Sequence, residues 1–151
     1  MGIVLGSGGK QRAVEINTGT AVAQVSTLYV GLLQSAPSGM DGMSLSTLIS
    51  AGQGNEFTIN ANFYTGRKAV TVGSITTNSN GAVCYNNNSP AIEWTNTTGS
   101  TVSVAGFFIT DASSGSSGSV LWVGTPDAGT ASIVNTQTAT INANDLMLKV
   151  D

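Results

Sequence analysis

The stretch VAGFFITDASSGSSGSVLWVG, residues 104–124, places two apolar runs on either side of a loop of serine and glycine. The large side chains at 107–109 and 120–123 must be buried, since short apolar runs bounded by turn residues are typical of core strands. The loop between them carries no group suited to holding a metal or a phosphate. The stretch therefore predicts a core hairpin without chemistry of its own.

The composition of the whole chain extends this picture. Of 151 residues, 40% are hydrophobic and only 9% are charged, against a usual charged share of about 25%. Serine, threonine and asparagine take the place of charged residues, and such residues fit pleated strands and turns. A chain of this length buries enough surface for one self-sufficient core. The composition predicts a single domain made of strands and turns.

The chain order predicts an all-β fold. About eight short apolar or alternating runs, separated by turns, are typical of an antiparallel β-sandwich, here jelly-roll-like. These runs are 27–34, 67–76, 82–85, 91–94, 101–111, 119–125, 131–141 and 146–150. The pair Asn80-Gly81 predicts a hairpin turn. Residues 43–52 predict one short helix, capped by Ser44 or Ser46 and ended by Gly52. Residues 1–26 predict an extended N-terminal arm, and residues 27–151 predict the sandwich domain.

Catalytic and metal-binding chemistry is not expected. The chain has no histidine and one cysteine, Cys84, so the usual general base and the usual zinc ligands are missing. The carboxylates have no informative spacing, and GSGGK (6–10) lacks the residues of a phosphate loop. We expect no catalytic residue, no cofactor, no metal and no enzymatic activity.

Nucleic acid and membranes are not expected partners either. Five basic residues and a pI near 4.6 cannot neutralise many phosphates. No apolar run approaches the length of about 18 residues that a membrane span needs. The aromatic residues leave a carbohydrate-binding module open as an alternative, with Tyr29, Trp94 or Trp122 contacting sugar. Core packing is favoured, because Trp94 and Trp122 lie within apolar runs.

A series of motifs across residues 28–151 resembles a known family. The series runs from LYVGLLQSAPS (28–38) through LSTLISAG (45–52) and YTGRKAVTV (64–72) to Trp94, GFFITDASSG and a C-terminal LMLKV. It resembles small virion proteins of tailed bacteriophages, which include capsid decoration (cement) proteins and are often labelled tail fibre or minor structural proteins. The usual glycine pair of the family is stretched here to Gly115-Ser-Ser-Gly118.

The resemblance implies a structural virion protein on the outer capsid surface, made in the host cytoplasm, that cements the head by bridging neighbouring capsid subunits. The implied partners are the major capsid protein and copies of the chain itself, as a homotrimer. A tail or fibre component is the alternative. Within the loop, Asp111 and Ser113 are expected to cap a turn, and Gly115 and Gly118 to supply positive φ. The residues expected to form the core and turns are Tyr29, Pro37, Tyr64, Arg67, Trp94, Phe107, Phe108, Asp111, Gly115, Gly118 and Trp122.

The glycine-rich arm suggests a partner contact. An extended segment that orders on binding can add a strand to the sheet edge of a neighbour. The residues expected to make this contact are Ile3, Val4, Leu5, Lys10, Arg12, Val14 and Ile16. A frayed tail without contacts is the alternative.

Overall fold

A computed structural model describes residues 3–19, 25, 27–39, 42–78 and 81–149. In chain order the strands are β1 (Ile3–Leu5), β2 (Leu28–Leu33), β3 (Lys68–Val70), β4 (Thr76–Asn78), β5 (Gly81–Tyr85), β6 (Ile92–Thr95), β7 (Val102–Val104), β8 (Gly106–Thr110), β9 (Val120–Gly124), β10 (Ala131–Ile133), β11 (Thr138–Ile141) and β12 (Met147–Lys149). The helices are α1 (Ser7–Asn17) and α2 (Leu45–Leu48). The predicted all-β class is confirmed.

A five-stranded antiparallel sheet, in the order β1-β9-β8-β2-β3, forms the centre of the fold. The two apolar runs of the stretch 104–124 are the neighbouring strands β8 and β9, as predicted, with Phe108 opposite Val123 and Ile109 opposite Trp122. Strand β2 pairs with the other edge of β8 and places Gly31 opposite Phe108. The hairpin therefore supplies the middle of the main sheet.

Both faces of the main sheet are covered, which explains why every residue of β8 is buried. Ile109 belongs to a cluster with Trp94 and Leu146 on one face. Phe108 belongs to a second cluster, with Leu45 and Leu48 of α2, on the other. Because successive side chains of a strand point to opposite faces, a strand between two apolar layers needs an unbroken apolar run. Each such side chain, fully buried, contributes about 1.5–3 kcal/mol.

Three smaller antiparallel sheets complete the strands: β12-β5-β4, β11-β6 and β10-β7. They contribute Ile92, Trp94, Val104 and Leu148 to the cluster that contains Ile109. The main sheet and these small sheets therefore lie on opposite sides of one apolar layer.

Twelve strands are described where about eight are predicted, because three predicted strands divide and β1 is added. The run 101–111 changes partner at Ala105, whose N–H donates to Leu33 O. The run 67–76 likewise passes from β2 to β5. The run 131–141 is broken at Thr136, which has φ of 73°. A change of pairing partner leaves no mark in hydrophobic periodicity.

The short helix is confirmed as α2. Ser44 caps it, since its Oγ accepts a hydrogen bond from Thr47 N at 3.3 Å. The predicted end at Gly52 is wrong, because the helix ends at Leu48 and turns follow to Gly54. For the predicted Asn80-Gly81 hairpin, Asn80 lies outside the described residues, while Asn78 of β4 pairs with Gly81 of β5.

The prediction of an extended N-terminal arm is wrong for α1. β1 pairs with β9 of the same chain, and Ser7–Asn17 is helical. Gly6 and Gly8 explain the packing, because a Cβ on either would lie 2.4 Å from atoms of Val120 or Ser119. Packing against β9 therefore offsets the low helix propensity of glycine. The domain boundary at residue 26 stays a prediction.

Candidate interaction surface

A buried ion pair lies beneath the loop 111–118. The Arg67 side chain is 2% exposed, and its Nε and Nη2 donate to Oε1 and Oε2 of Glu56 at 2.9 and 2.8 Å. The Glu56 side chain is 16% exposed. This two-pronged geometry is the strong form of an arginine–carboxylate contact, and it fixes the plane of the guanidinium.

Tyr64 extends this pair into the core. Its hydroxyl donates to Glu56 Oε1 at 2.7 Å, and its ring stacks on Trp94 with 6.2 Å between centroids. Burial, and then the hydrogen bond to Glu56, raises the pKa of Tyr64 far above the usual range. Trp94 Nε1 donates to Gly66 O at 3.0 Å. The polar ends of both aromatic residues are therefore satisfied, and the phenol stays protonated at neutral pH.

The same guanidinium holds the loop 111–118. Arg67 Nη1 donates to Ala112 O at 3.0 Å and Nη2 to Gly115 O at 2.7 Å. It also lies over the Phe108 ring, 5.1 Å from the centroid, where a cation–π attraction adds to the hydrogen bonds. We call Glu56, Tyr64 and Arg67 the arginine clasp. The clasp presents residues 113–117, which are all exposed.

Asp111 closes the loop at its base. Its Oδ1 accepts a hydrogen bond from Ser119 N at 2.6 Å, and its Oδ2 lies 3.5 Å from Arg12 Nη2 of α1. Asp111 therefore joins the two ends of the loop, whereas the sequence predicts a local turn with Ser113. Helix α1 is tied to the same base.

The two loop glycines have different roles. Gly115 has φ of 72°, as predicted. The prediction of positive φ for Gly118 is wrong, because that residue is not among the glycines with positive φ. A Cβ on Gly118 would lie 2.4 Å from Ala112 Cβ. Gly118 thus permits close approach of the loop's two ends rather than a left-handed turn.

The residues predicted to contact a partner do not form one exposed group. Ile3, Val4 and Leu5 pair through their backbones with β9 of the same chain. Lys10 is exposed and Val14 is 62% exposed, one turn apart on α1. Arg12 is half-buried beside Asp111. The side chain of Ile16 lies outside the described part of the structure.

The predicted core and turn residues fall into three groups. The buried members are Pro37, Tyr64, Trp94, Phe107 and Phe108; those of intermediate exposure are Tyr29, Arg67, Asp111, Gly118 and Trp122; Gly115 is exposed. Trp94 is only 2% exposed, so its indole is not available to stack on a sugar from solvent.

Sequence reasoning missed three polar residues with structural roles. Glu56 has no local signature, because its partner Arg67 is eleven positions away. Asn86 and Asn96 are completely buried. Each follows a strand, and each backbone C=O accepts from a residue with positive φ, Asn144 or Thr136.

The side chains of these two asparagines complete the corners. Asn86 Oδ1 accepts from Leu146 N at 2.8 Å. Asn96 Nδ2 donates to Ser100 O and Ile133 O at 2.8 and 2.7 Å. Asn96 begins a glycosylation sequon, but its amide is buried and fully used. The only sequence signal was an asparagine directly after each strand.

Two open grooves are present in the described structure. One, of about 660 Å³, lies between β6 and the segment 61–71. The other, of about 530 Å³, is lined by apolar residues together with Asp127, Thr140 and Asp145. No group of three or more metal-ligating side chains occurs within the described ranges. No described helix is long and apolar enough to cross a bilayer.

Residues 13–149 match the family of the podophage GP4 fiber I protein gp80. The chain belongs to this family. As a member of the fiber I family, it is a structural protein of a bacteriophage virion. This agrees with the resemblance to bacteriophage virion proteins described in the sequence analysis. A comparison with curated proteins finds no match. Residues 13–149, which match the fiber I family, include the arginine clasp, the loop 111–118 and both grooves.

Proposed function

We propose that this protein is a structural component of the fibre of a tailed bacteriophage and acts through contacts rather than catalysis. The match of residues 13–149 to the fiber I family carries this proposal. We therefore favour a tail or fibre component, which was the alternative drawn from the resemblance, over a protein that cements the capsid.

The geometry supports a contact role through rigidity. The arginine clasp ties the exposed loop 111–118 to the core by hydrogen bonds to two loop carbonyls. A loop held in one conformation loses little entropy when a partner binds. Its exposed residues, 113–117, are serine and glycine, and these uncharged residues cost less to desolvate than lysine or glutamate. The loop is thus suited to packing against another protein.

Capsid decoration is the competing proposal, and particle imaging separates the two. Antibody raised against the purified protein, with gold-labelled secondary antibody, is applied to intact virions. A fibre component gives label at the tail or fibre and few copies relative to the major capsid protein by quantitative mass spectrometry. Label spread evenly over the head, with copies approaching those of the capsid protein, would replace the fibre proposal with cementing. Virions that contain none of the protein would end both.

Self-association is the second part of the proposal. Most soluble oligomers have closed symmetry, and the resemblance implies three copies, so we propose a homotrimer. Light scattering during gel filtration should give three times the mass of one chain. A monomeric mass across the accessible concentration range would remove the trimer without bearing on the fibre assignment.

A further inference from the structure

The groove between β6 and the segment 61–71, here called the β6 groove, has a volume of about 660 Å³. Phe63, Ile92 and Trp94 line it while remaining almost fully buried, so they contribute an apolar base. Lys68 and Glu93 line the two sides. The groove is therefore apolar beneath and charged at its walls.

One wall of the β6 groove is an unpaired strand edge. Asn96 N donates to Gln137 O, toward β11, whereas Thr97 N donates to Asn62 O on the opposite side. Backbone groups alternate direction along a strand, so the N–H and C=O groups of Glu93 and Thr95 point away from β11, as Thr97 N does. The close contact of Thr95 Oγ1 with Thr138 Oγ1, at 3.0 Å, fits this register.

The groove-facing backbone groups of Glu93 and Thr95 have no hydrogen-bond partner within the described part of the chain. The facing edge, that of β3, is occupied. Asn88 Nδ2 donates to Ala69 O at 3.3 Å, and Asn88 Oδ1 accepts from Thr71 N at 3.0 Å. The edge of β3 is thus covered by the Asn88 side chain, whereas the edge of β6 is left free beside the groove.

We propose that the β6 groove binds an extended strand of another polypeptide, which pairs with the free edge of β6. Main-chain hydrogen bonds to Glu93 and Thr95 would supply affinity, and alternate side chains of the guest would lie in the groove between Lys68 and Glu93. A guest running along residues 91–95 would be about 16 Å long, at about 3.3 Å per residue. We assign the guest to another protein of the virion, and only this assignment rests on the proposed function.

The charged side chains that line the groove restrict which sequence the guest strand can have. Lys68 is half-buried, and no carboxylate pairs with it in the described ranges, whereas Glu93 is exposed. A less solvated charge interacts more strongly with a nearby opposite charge. The guest is therefore a strand that alternates small apolar and polar residues and carries an acidic residue opposite Lys68.

Synthetic peptides test the proposal on the purified full-length chain. Three series of ten-residue peptides alternate valine and threonine, and carry one aspartate, one lysine or no charge. Nuclear magnetic resonance titration follows the amides of Glu93 and Thr95, with hydrogen exchange in the bound state. We expect the aspartate series to bind about tenfold more tightly than the lysine series. Exchange at both amides should slow by about tenfold or more.

Proline substitution supplies the matched control. Thr95→Pro removes an N–H that points into the groove, which an edge strand tolerates. Thr140→Pro makes the same change on β11, opposite Glu93, where the N–H points away from β6. Thr95→Pro should weaken peptide binding by at least about tenfold, and Thr140→Pro should leave it unchanged. Thermal melting of both variants verifies folding.

Lys68→Glu leaves the backbone intact and should reverse the preference, so that the lysine series binds more tightly than the aspartate series. The proposal is overturned if no series slows exchange at Glu93 and Thr95, or if folded Thr95→Pro binds like the wild type. An unchanged charge preference in Lys68→Glu would also overturn it. These outcomes are independent of where label is found on the virion.

Discussion

At the residue scale, several interactions of the arginine clasp depend on one guanidinium, that of Arg67. Arg67 pairs with Glu56, binds two loop carbonyls and lies over Phe108. Removing one partner of a buried ion pair leaves the other uncompensated, which costs more than the pair itself contributes. The clasp is therefore more important for holding the loop in place than for net stability.

Arg67→Leu should lower the free energy of unfolding by about 3 kcal/mol, since Glu56 loses its counter-charge and two loop carbonyls lose their donor. Urea unfolding followed by tryptophan fluorescence measures the change. Lys68→Leu, at the neighbouring half-buried position, is the matched control and should shift stability by less than about 0.5 kcal/mol. Equal effects of the two variants would contradict the role of the clasp.

Because of Tyr64, we expect the free energy of unfolding to decrease at alkaline pH. Its pKa is raised in the folded state by burial and by the bond to Glu56, so above pH 10 the unfolded chain releases a proton that the folded chain keeps. Stability contributed by this group is therefore complete below pH 10 and falls above it by about 1.4 kcal/mol per pH unit. Urea unfolding between pH 9 and 11.5 tests this slope. Tyr64→Phe should flatten it, and an unchanged slope in that variant would contradict the assignment to Tyr64.

At the element scale, glycine spacing decides where α1 lies. Gly6 and Gly8 allow the start of the helix to approach β9 so closely that no Cβ fits. Gly6 and Gly8 are therefore explained by close packing against β9 rather than by a flexible arm. Asp111 and Arg12 then join the helix to the base of the loop 111–118.

Gly8→Ala should loosen α1 although alanine is the better helix former by about 1 kcal/mol. The added Cβ would lie 2.4 Å from Ser119 Cβ, so the helix must move away from β9. Hydrogen exchange of the α1 amides should accelerate by about tenfold. Val14→Ala, which changes an exposed side chain, should leave exchange unchanged or slower. Slower exchange in Gly8→Ala would show that propensity outweighs packing.

At the scale of the whole molecule, β8 connects the two apolar layers. Phe108 and Ile109 are adjacent in sequence but belong to clusters on opposite faces of the main sheet. A cavity on one face should therefore weaken structure on the other. Cys84 reports on the layer that contains Ile109, against which it packs, and burial raises the pKa of its thiol and slows its reactions.

Phe108→Ala should lower the free energy of unfolding by about 3–5 kcal/mol through the cavity it leaves. If both layers unfold together, labelling of Cys84 by a thiol reagent should accelerate by the same factor as global unfolding. Ile59→Ala removes a side chain that is 64% exposed and should leave labelling unchanged. Unaltered labelling in Phe108→Ala would mean that the two layers open independently.

The stretch 104–124 shows how far the sequence determined the fold. Two apolar runs and a serine–glycine loop were enough to predict paired core strands, because burial requires hydrophobicity that is visible locally. Ser44 and the leucines after it were likewise enough for α2. The series of about eight short runs separated by turns was enough for the all-β class.

The tertiary structure alone decided the remaining features, because they depend on partners distant in sequence. Glu56 meets Arg67, Asn86 meets Leu146, and α1 forms where glycines meet β9. The free edge of β6 also follows from pairing with β11, more than forty residues later. Hydrophobic pattern records whether a residue is buried, but it does not record which distant backbone group or charge the residue will meet.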